Sequence, residues 1–381
     1  MIFDEYNAEE LAYHKIAEIR TLKIRNRYTR LNGKNSFRGE HGYGEEFLVK
    51  ELLTEKGAKG WGYCPGNPYA ADTATDSLLL GKTVSEVFSP SAGVTVDSMM
   101  PYDFALHDLA GKIMGIPVFR MLGAEGDNPV SCYDGAILFD DISPDSNPRG
   151  LKGILEECEA DYALGYRDFK LKIGRAPKWM DWKNGLKRDI EVTRMVREYY
   201  PDAKLMVDAN SVYPLETMKQ YIDAVADCGL YWIEEPFIEN MEDDKRLKAY
   251  LQEKSPQTMI ADGEADPDVP ALIAMAEAGV LDVIQMDVAG YGFTRWRRIL
   301  PELARKNIKI SPHNWGLKVK THYSATIAAA YAHTPTVEGV LDETEGVDFG
   351  GYLLREGRLT VPDTPGFGMD LIWGQELHTV K

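Results

Sequence analysis

The chain has 381 residues, of which 44% are apolar and 10% aromatic, and its 43 Lys and Arg against 60 Asp and Glu give a formal charge of −17. That apolar content excludes a disordered chain and predicts a globular protein with a sizeable core, built as one large barrel-type domain or as two domains. The acidic excess disfavours nucleic-acid binding, because it repels phosphate. An anionic ligand would need a local cation or metal ion.

The sequence carries no targeting or redox signal. Residues 1–5 lack the basic and apolar regions of a signal peptide, and no apolar run approaches the roughly 20 residues that a membrane-spanning helix needs. The four cysteines form no CxxC pair, which argues against a disulfide framework or a thiolate zinc site. We therefore expect a cytoplasmic protein with no membrane role.

Residues 1–125 predict a separate α+β capping domain. Residues 17–29 alternate apolar and polar side chains like an antiparallel strand, and residues 57–63 indicate a second strand, rich in glycine. Residues 103–114 have helical spacing, and the following Gly115-Ile116-Pro117 is a stop signal.

Residues 126–350 repeat a short apolar run, which ends in a polar or charged residue, and then a helix-length segment. Six such ends follow one another at intervals of 25 to 28 residues: Asp208, Glu234, Asp262, Asp287, His313 and Glu338. That period fits one strand and one helix, and two earlier runs at 130–133 and 169–172 bring the strands to eight, the number that closes a (β/α)8-type barrel. Residues 351–381 are too rich in turn residues to continue it, and we expect them to return to the cap.

Acidic residues follow three successive runs of this barrel. Side chains at the carboxyl ends of the strands converge on one mouth, so Asp208, Glu234 and Glu264 are expected to lie together. Three oxygen donors without a nearby Cys or His favour a hard cation, above all Mg2+. Ordinary loop acids are the alternative. Because neighbours on a strand face opposite ways, the pattern leaves open whether Glu234 or Glu235 is the ligand.

Two lysines lie on one face of the second run, since Lys170 and Lys172 are separated by the strand period of two. If that face is the barrel interior, each ammonium group and a nearby metal ion would depress the pKa of the other lysine, and such a lysine can act as a general base near neutral pH. A solvated strand edge is the alternative.

His313 and Asp287 end neighbouring runs, so the carboxylate could fix the tautomer of the imidazole and leave its other nitrogen to transfer a proton. A structural loop histidine is the alternative. Glu338, at the eighth run, could donate a hydrogen bond to an anionic oxygen if it is protonated, or it could simply be solvated.

Together these motifs resemble the enolase superfamily, specifically its mandelate racemase subgroup. The resemblance rests on Lys170-x-Lys172, Asp208-Ala209-Asn210, Glu234-Glu235-Pro236, Gly263-Glu264, Asp287 and His313, and it covers nearly the whole chain. It implies a barrel whose N-terminal capping domain is completed by the C-terminal segment. It also implies one Mg2+ per subunit, and related barrels often form symmetric homo-oligomers.

The resemblance further implies a role for each site residue. The Mg2+ ligands would be Asp208, Glu234 and Glu264. Lys172 would be the base on one face of the substrate, and the His313–Asp287 dyad would be the acid/base on the other. Lys170 would lower the pKa of Lys172 and touch the substrate carboxylate. Glu338 matches the position of the superfamily's acid at the eighth strand.

Such a site removes a proton α to a carboxylate, and a divalent cation stabilises the enediolate that results. Return of a proton from the other face gives racemisation or epimerisation, whereas protonation of a departing β-hydroxyl gives a 2-keto-3-deoxy acid. Residues 27–43 are polar and basic, which favours a polyhydroxylated acid substrate, with a second carboxylate for an arginine to bind as one option. A solvated loop is the alternative.

The sequence therefore predicts a lyase, a Mg2+-dependent dehydratase of aldonic or aldaric acids. The predicted substrate-binding residues are Asn210, Arg38, His41 and Trp315. The alternatives are a racemase or epimerase of a 2-hydroxy acid on the same site and a non-catalytic protein that binds sugar acids.

Overall fold

The computed structural model describes residues 8–65, 73–124 and 129–381. An α+β unit packs against a barrel of eight parallel strands, which confirms the fold class predicted from the sequence. The expected boundary between residues 125 and 126 and the N-terminal residues 1–5 lie outside the described residues, so the division into domains remains a prediction. Within the described ranges, no helix combines the length and apolar character needed to cross a bilayer.

The cap is built on three long antiparallel strands that pair in chain order. Its elements are β1 (Ile16–Asn32), β2 (Gly42–Thr54), β3 (Lys59–Tyr63), α1 (Thr73–Leu79), α2 (Val84–Val87), β4 (Phe88–Ser89), β5 (Gly93–Val94), α3 (Asp103–Met114) and α4 (Val118–Met121). The predicted strand 17–29 and helix 103–114 are confirmed. The strand predicted at 57–63 begins only at Lys59, because Gly57, at φ +83°, forms a tight turn.

The barrel strands alternate with helices. The strands are β6 (Val130–Ile137), β7 (Phe169–Lys172), β8 (Leu205–Asp208), β9 (Trp232–Glu234), β10 (Met259–Asp262), β11 (Val283–Ile284), β12 (Lys309–Ile310) and β13 (Val337–Gly339). The helices are α5 (Leu151–Ala163), α6 (Trp182–Tyr199), α7 (Leu215–Val225), α8 (Met241–Lys254), α9 (Val269–Glu277), α10 (Val288–Tyr291), α11 (Phe293–Arg305) and α12 (Lys318–Ala330). Each strand from β6 to β11 pairs in parallel with the next, and β13 pairs with β6. Ser311 Oγ, after β12, donates to Thr336 O, before β13, at 2.8 Å.

The C-terminal region joins both units. The strands β14 (Asp342–Thr344) and β19 (Gln375–Val380) pair with β1 of the cap, and β15 (Val347–Asp348) pairs with β18 (Asp370–Leu371). The hairpin of β16 (Leu353–Arg355) and β17 (Arg358–Thr360) pairs instead with β6 of the barrel. Cap pairing thus begins at Asp342, inside the range expected for the barrel, and the segment after residue 350 contacts the barrel as well as the cap.

A loop of the cap, residues 33–41, is fastened to the loops that follow the first two barrel strands. The indole Nε1 of Trp179 donates to Asn35 O at 2.7 Å, and Phe139 N donates to Lys34 O at 2.8 Å. The Nζ of Lys34 bonds Ile142 O at 3.3 Å. These bonds fix the cap loop over the carboxyl ends of the barrel strands.

A buried ion network around Arg175 holds three loops at the same end of the barrel. The guanidinium contacts Asp141, after β6, at 2.6 Å and Asp189, on α6, at 2.5 Å. Tyr213, after β8, donates to Asp189 at 2.5 Å. All three charged side chains are buried, so Arg175 and Asp189 depend on this network for compensation, while Asp141 also pairs with Arg188 at 2.9 Å.

Replacement of Arg175 by Met is expected to lower the free energy of unfolding by about 3–5 kcal/mol, because it leaves the buried carboxylate of Asp189 without a cation and leaves Asp141 with Arg188 alone, at 2.9 Å. Urea unfolding measures the loss. The matched control is Arg194→Met, which removes an exposed arginine paired with Asp227 and should change stability little. An equal decrease in the free energy of unfolding in the two variants would show that burial of the ion pair does not determine its contribution to stability.

A second prediction concerns acid stability. His322 is fully buried and stacks on Tyr352 with ring centroids 3.8 Å apart, and desolvation together with the charge of Lys318 holds its pKa well below the ordinary 6.5. Below about pH 6.5 the unfolded chain therefore binds a proton at His322 that the folded chain does not bind. The free energy of unfolding is unaffected by this group above that pH and decreases as the pH falls below it.

Between about pH 7 and pH 5, we expect the free energy of unfolding of His322→Phe to fall less steeply than that of the wild type, by up to about 1.4 kcal/mol per pH unit. Urea titrations at each pH would test this, and parallel pH profiles would rule it out.

Candidate active site

The strand register places the polar residues of three neighbouring strands side by side. Lys172 on β7 is opposite Asp208 on β8, and Asp208 is opposite Glu234 on β9. Because side chains alternate along a strand, these three point to one face of the sheet. Beneath them an apolar layer fills the barrel, formed by Tyr133, Met206, Trp232, Ala261 and Val283.

The predicted metal ligands come together. Asp208, Glu234 and Glu264 each offer an oxygen, and these atoms lie within 4.8 Å of one another. The Glu264 Oε2 atom is buried and has no hydrogen-bond partner among the described residues. Trp232 Nε1 and Gln285 Nε2 hold Glu234 Oε2, each at 3.0 Å. Three positioned oxygens, one of them unsatisfied, fit a hard cation such as Mg2+.

Glu234, rather than Glu235, belongs to this cluster. Glu235 leaves the strand with φ +41°, and its Oε2 accepts from Asn210 Nδ2 at 3.2 Å. Desolvation, followed by the charges of Glu264 and Asp208, raises the pKa of Glu235 to about 8. Backbone conformation therefore places Glu234, and not Glu235, in the carboxylate cluster, and its role as a metal ligand stays a prediction.

Lys170 is buried inside the acidic cluster. Its Nζ lies 2.6 Å from Glu234 Oε1, 2.9 Å from Glu338 Oε1 and 3.3 Å from Asp208 Oδ2. Desolvation lowers its pKa, but these carboxylates outweigh it and hold the pKa well above the usual value. Lys170 therefore stays charged. Contact between Lys170 and a substrate carboxylate remains a prediction.

Lys172 bonds Asp208 Oδ2, and its pKa is raised, opposite to the direction expected from the sequence. Desolvation and the charge of Lys170 lower this pKa, as expected, but the attraction of Asp208, with Glu264 and Glu234, is stronger. A cation that shares these carboxylates would weaken that attraction. Lys170 therefore acts in the expected direction, and the net rise comes from anions that the sequence pattern did not include.

His313 and Asp287 form the expected pair, with Nδ1 and Oδ2 2.9 Å apart. Asp287 is itself anchored, because it accepts from the backbone N of Ala289 and Gly290 at the start of α10 and from Lys320 Nζ at 3.2 Å. An Nδ1 proton directed at this carboxylate leaves Nε2 to face the acidic cluster, 3.4 Å from Glu264 Oε1.

The electrostatics of the pair favour a charged imidazole. Desolvation lowers the pKa of His313, yet Glu264, Glu338 and Asp287 raise it to about 9. Desolvation likewise raises the pKa of Asp287, but Lys320 and His313 hold it below its usual range. The surrounding carboxylates thus favour the protonated imidazole.

Glu338 lies between Lys170 and His313, 2.9 Å from the amine and 3.6 Å from the imidazole. Desolvation raises the pKa of Glu338, but these two cations lower it by a larger amount. The net result is a pKa below the usual value. The protonated carboxyl considered from the sequence is therefore not favoured. Glu338 is an ionised partner of both bases.

The predicted substrate-binding residues lie in different settings. His41 and Trp315 are in contact, with ring centroids 5.8 Å apart, and Asn210 donates from its backbone N to Asp208 Oδ1 at 2.9 Å. The Arg38 side chain is exposed. Other cations of residues 27–43 are structural: carboxylates bind the side chains of Arg27, Arg30 and Lys34.

Sequence reasoning missed three neighbours of the site: Lys320, Gln285 and Glu45. Lys320 and Asp287 are 33 residues apart and Gln285 and Glu234 are 51 apart, so no local pattern joins them. Gln285 did fall on a predicted strand, two residues before Asp287, where the strand period places both on one face. That spacing was the one available signal.

Comparisons with known proteins agree with this geometry. Residues 153–374 match the family model described as Enolase C-terminal domain-like. The galacturonate dehydratase of Geobacillus sp., solved with D-galacturonate and 5-keto-4-deoxy-D-galacturonate, is 30% identical with a TM-score of 0.86, over 94% of this chain and 95% of that one. A mandelate racemase/muconate lactonizing protein from Geobacillus sp. Y412MC10, solved with magnesium and tartrate, is 29% identical with a TM-score of 0.86, over 94% and 93%.

Among curated proteins, the D-galactarolactone cycloisomerase of Agrobacterium fabrum is 27% identical over 355 residues, which covers 85% of this chain and 88% of that protein. Further relatives include dehydratases of acid sugars and an L-Lys-D/L-Arg epimerase. The resemblance noted in the sequence motifs is thereby confirmed. The chain belongs to the Enolase C-terminal domain-like family of the enolase superfamily.

Proposed function

We propose that this protein is a Mg2+-dependent dehydratase that converts an acid sugar, an aldonic or aldaric acid, to a 2-keto-3-deoxy acid. One observation carries the proposal. The carboxylate cluster has an amine against Asp208 and an imidazole against Glu264, and its strands β8, β9 and β10 lie between β7 and β12 in the sheet. Acid-sugar dehydratases among the relatives support the same reaction class.

Asp208, Glu234 and Glu264 would hold one Mg2+ per subunit. When bound, the ion would supply positive charge beside the substrate carboxylate and so make the α-proton more acidic. The Nζ of Lys170, buried among the same carboxylates, adds a second fixed positive charge.

Lys172 is proposed as the base that takes the α-proton. Its Nζ is at the cluster edge, and the charge of Lys170 two residues away favours its neutral form once the carboxylates are shared with a cation. The electron pair of the broken C–H bond then moves toward the substrate carboxylate.

His313 is proposed as the acid that protonates the departing β-hydroxyl. Asp287 holds the ring by Nδ1, and Glu338 lies 3.6 Å from Nε2, so both carboxylates favour the charged imidazole. The proton passes from Nε2 to the hydroxyl oxygen, the C–O bond breaks, water leaves, and the enol that remains tautomerises to the keto acid.

Racemisation or epimerisation of a 2-hydroxy acid is the second candidate, favoured by the same placement of the two groups. In that reaction His313 would return its proton to the α-carbon from the side opposite Lys172. Cytoplasmic location and homo-oligomeric assembly remain predictions.

The proposed function is tested by a screen of aldonic, aldaric and uronic acids with Mg2+, scored for release of keto acid. Chelation with EDTA should abolish at least about 99% of turnover, and added Mg2+ should restore it, because the α-proton loses its main activation without the ion. Turnover that survives chelation would contradict the metal assignment. Binding of sugar acids without any turnover would instead identify a binding protein.

Exchange of the substrate α-proton in deuterated water distinguishes the role of Lys172 from that of His313. We expect Lys172→Ala to stop both α-proton exchange and keto-acid release, and His313→Asn to stop keto-acid release, each with at least about a hundredfold loss of kcat. Lys183→Ala, at an exposed lysine of α6, is the matched control. Exchange by the wild type without keto-acid formation would indicate a racemase, and full activity in both variants would reject the assignment.

A further inference from the structure

Two side chains of the cap, Glu45 and His41, approach the mouth of the barrel, and neither is used in the proposed reaction. We infer that the substrate is a monocarboxylic acid sugar whose distal end carries hydroxyl groups, and that Glu45 and His41 accept hydrogen bonds from those hydroxyls. This inference rests on the proposed dehydratase function. The distinction is between a sugar acid with one carboxylate and one with a carboxylate at each end.

Glu45 lies on β2 directly over the segment that follows His313. Its backbone N donates to Asn26 Oδ1 at 2.7 Å, and Tyr28 OH lies 3.3 Å from its Oε1. A Cβ at Gly316 would lie 2.7 Å from the same oxygen, so the carboxylate rests on the backbone three residues after His313. The side chain is exposed, and among the described residues no Lys, Arg or His forms an ion pair with it.

His41 presents a second acceptor. Its Nδ1 lies 2.7 Å from Gly33 O, so Nδ1 carries the proton and donates it to that carbonyl. Desolvation, together with the charges of Arg38 and Lys172, lowers the pKa of His41 to about 4, and the ring is neutral at pH 7. Nε2 is then a hydrogen-bond acceptor, and in the described part of the chain nothing donates to it.

An indole lies between these acceptors. The ring of Trp315 is stacked on Tyr28 with centroids 6.4 Å apart and meets the edge of His41 at 5.8 Å. An aromatic face bounded by hydrogen-bond acceptors suits the C–H and O–H groups of a sugar chain.

Three of the cations near this surface are already engaged, and Arg38 is the exception. Arg27 pairs with Glu345 at 2.5 Å, Arg30 with Asp161 at 2.5 Å, and Lys320 with Asp287 at 3.2 Å. Arg38 has no carboxylate within ion-pair distance in the described ranges, but its charge acts on Glu45: desolvation raises the pKa of Glu45, and Lys320 and Arg38 oppose that rise.

The consequence is a choice between substrates. Hydroxyl groups can donate to Glu45 and His41, whereas a second carboxylate has no proton to donate and would be repelled by Glu45. The surface therefore discriminates against the diacid rather than only favouring the monoacid.

The experiment compares kcat/KM for aldonic acids and for the aldaric acids of the same configuration, with uronic acids as further monoacids. The wild type should prefer the monoacid by at least about tenfold, the effect of one well-placed charged hydrogen bond. Glu45→Gln should raise KM for the monoacid with little change in kcat, because a distal contact is made equally in ground and transition states. Glu45→Lys should shift the preference toward the diacid by at least about tenfold.

Glu46→Gln is the matched control, because Glu46 is the next residue on β2 and pairs with Arg25 at 2.9 Å and Lys23 at 3.0 Å. It should leave both substrates unaffected. An equal or greater preference of the wild type for diacids overturns the inference and leaves the dehydratase standing, and this comparison needs no variant to fold. Keto acid from none of the acids would overturn the proposed function itself.

Discussion

The site depends on the compensation of buried carboxylates by buried ammonium groups in adjacent strand positions. Asp208, Glu234 and Glu338 are withdrawn from solvent, and Lys170 lies within 3.3 Å of all three. Burial of so many charges costs stability unless each has a partner, and well-packed apolar side chains would often serve the fold as well. Such a cluster at the centre of a barrel is therefore better explained by chemistry than by folding. Its geometry follows from the parallel strand register, which places Lys172, Asp208 and Glu234 at adjacent positions on neighbouring strands.

The two units of the fold have different parts in the proposed reaction. The barrel would supply the reacting groups from the ends of its strands, where loops can vary without disturbing the core. The cap supplies the groups that would contact the rest of a substrate. Asn26 joins them, because its Nδ2 donates to Gly316 O at 2.8 Å and to Asp342 Oδ2 at 3.1 Å, while its Oδ1 accepts from Glu45. One amide thus aligns the cap strand with the segment that carries His313.

Protonation is the property of the site residues that depends most on neighbours distant in the chain. The pKa of Lys172 is raised by carboxylates although Lys170 lowers it as expected, and the lowered pKa of Glu338 disfavours the protonated form, which was one of two options; each pKa depends on charges from three or more strands. The basic stretch of residues 27–43 is similar: Arg30 and Lys34 hold the cap to barrel carboxylates rather than facing the mouth. Counting charges in a segment does not show which of them are already paired.

The sequence by itself determined the eight strands, their helical partners and the carboxylate trio, because apolar runs with a period near 26 residues and acids at their ends are local patterns that parallel register converts into proximity. Only the tertiary structure decided that Glu234 rather than Glu235 joins the trio, that Lys320 supports Asp287 and that Glu45 overlies Gly316. Those facts rest on a left-handed backbone residue and on contacts between distant segments. Neither is encoded by spacing along the chain, since both arise only when the whole barrel and its cap have packed.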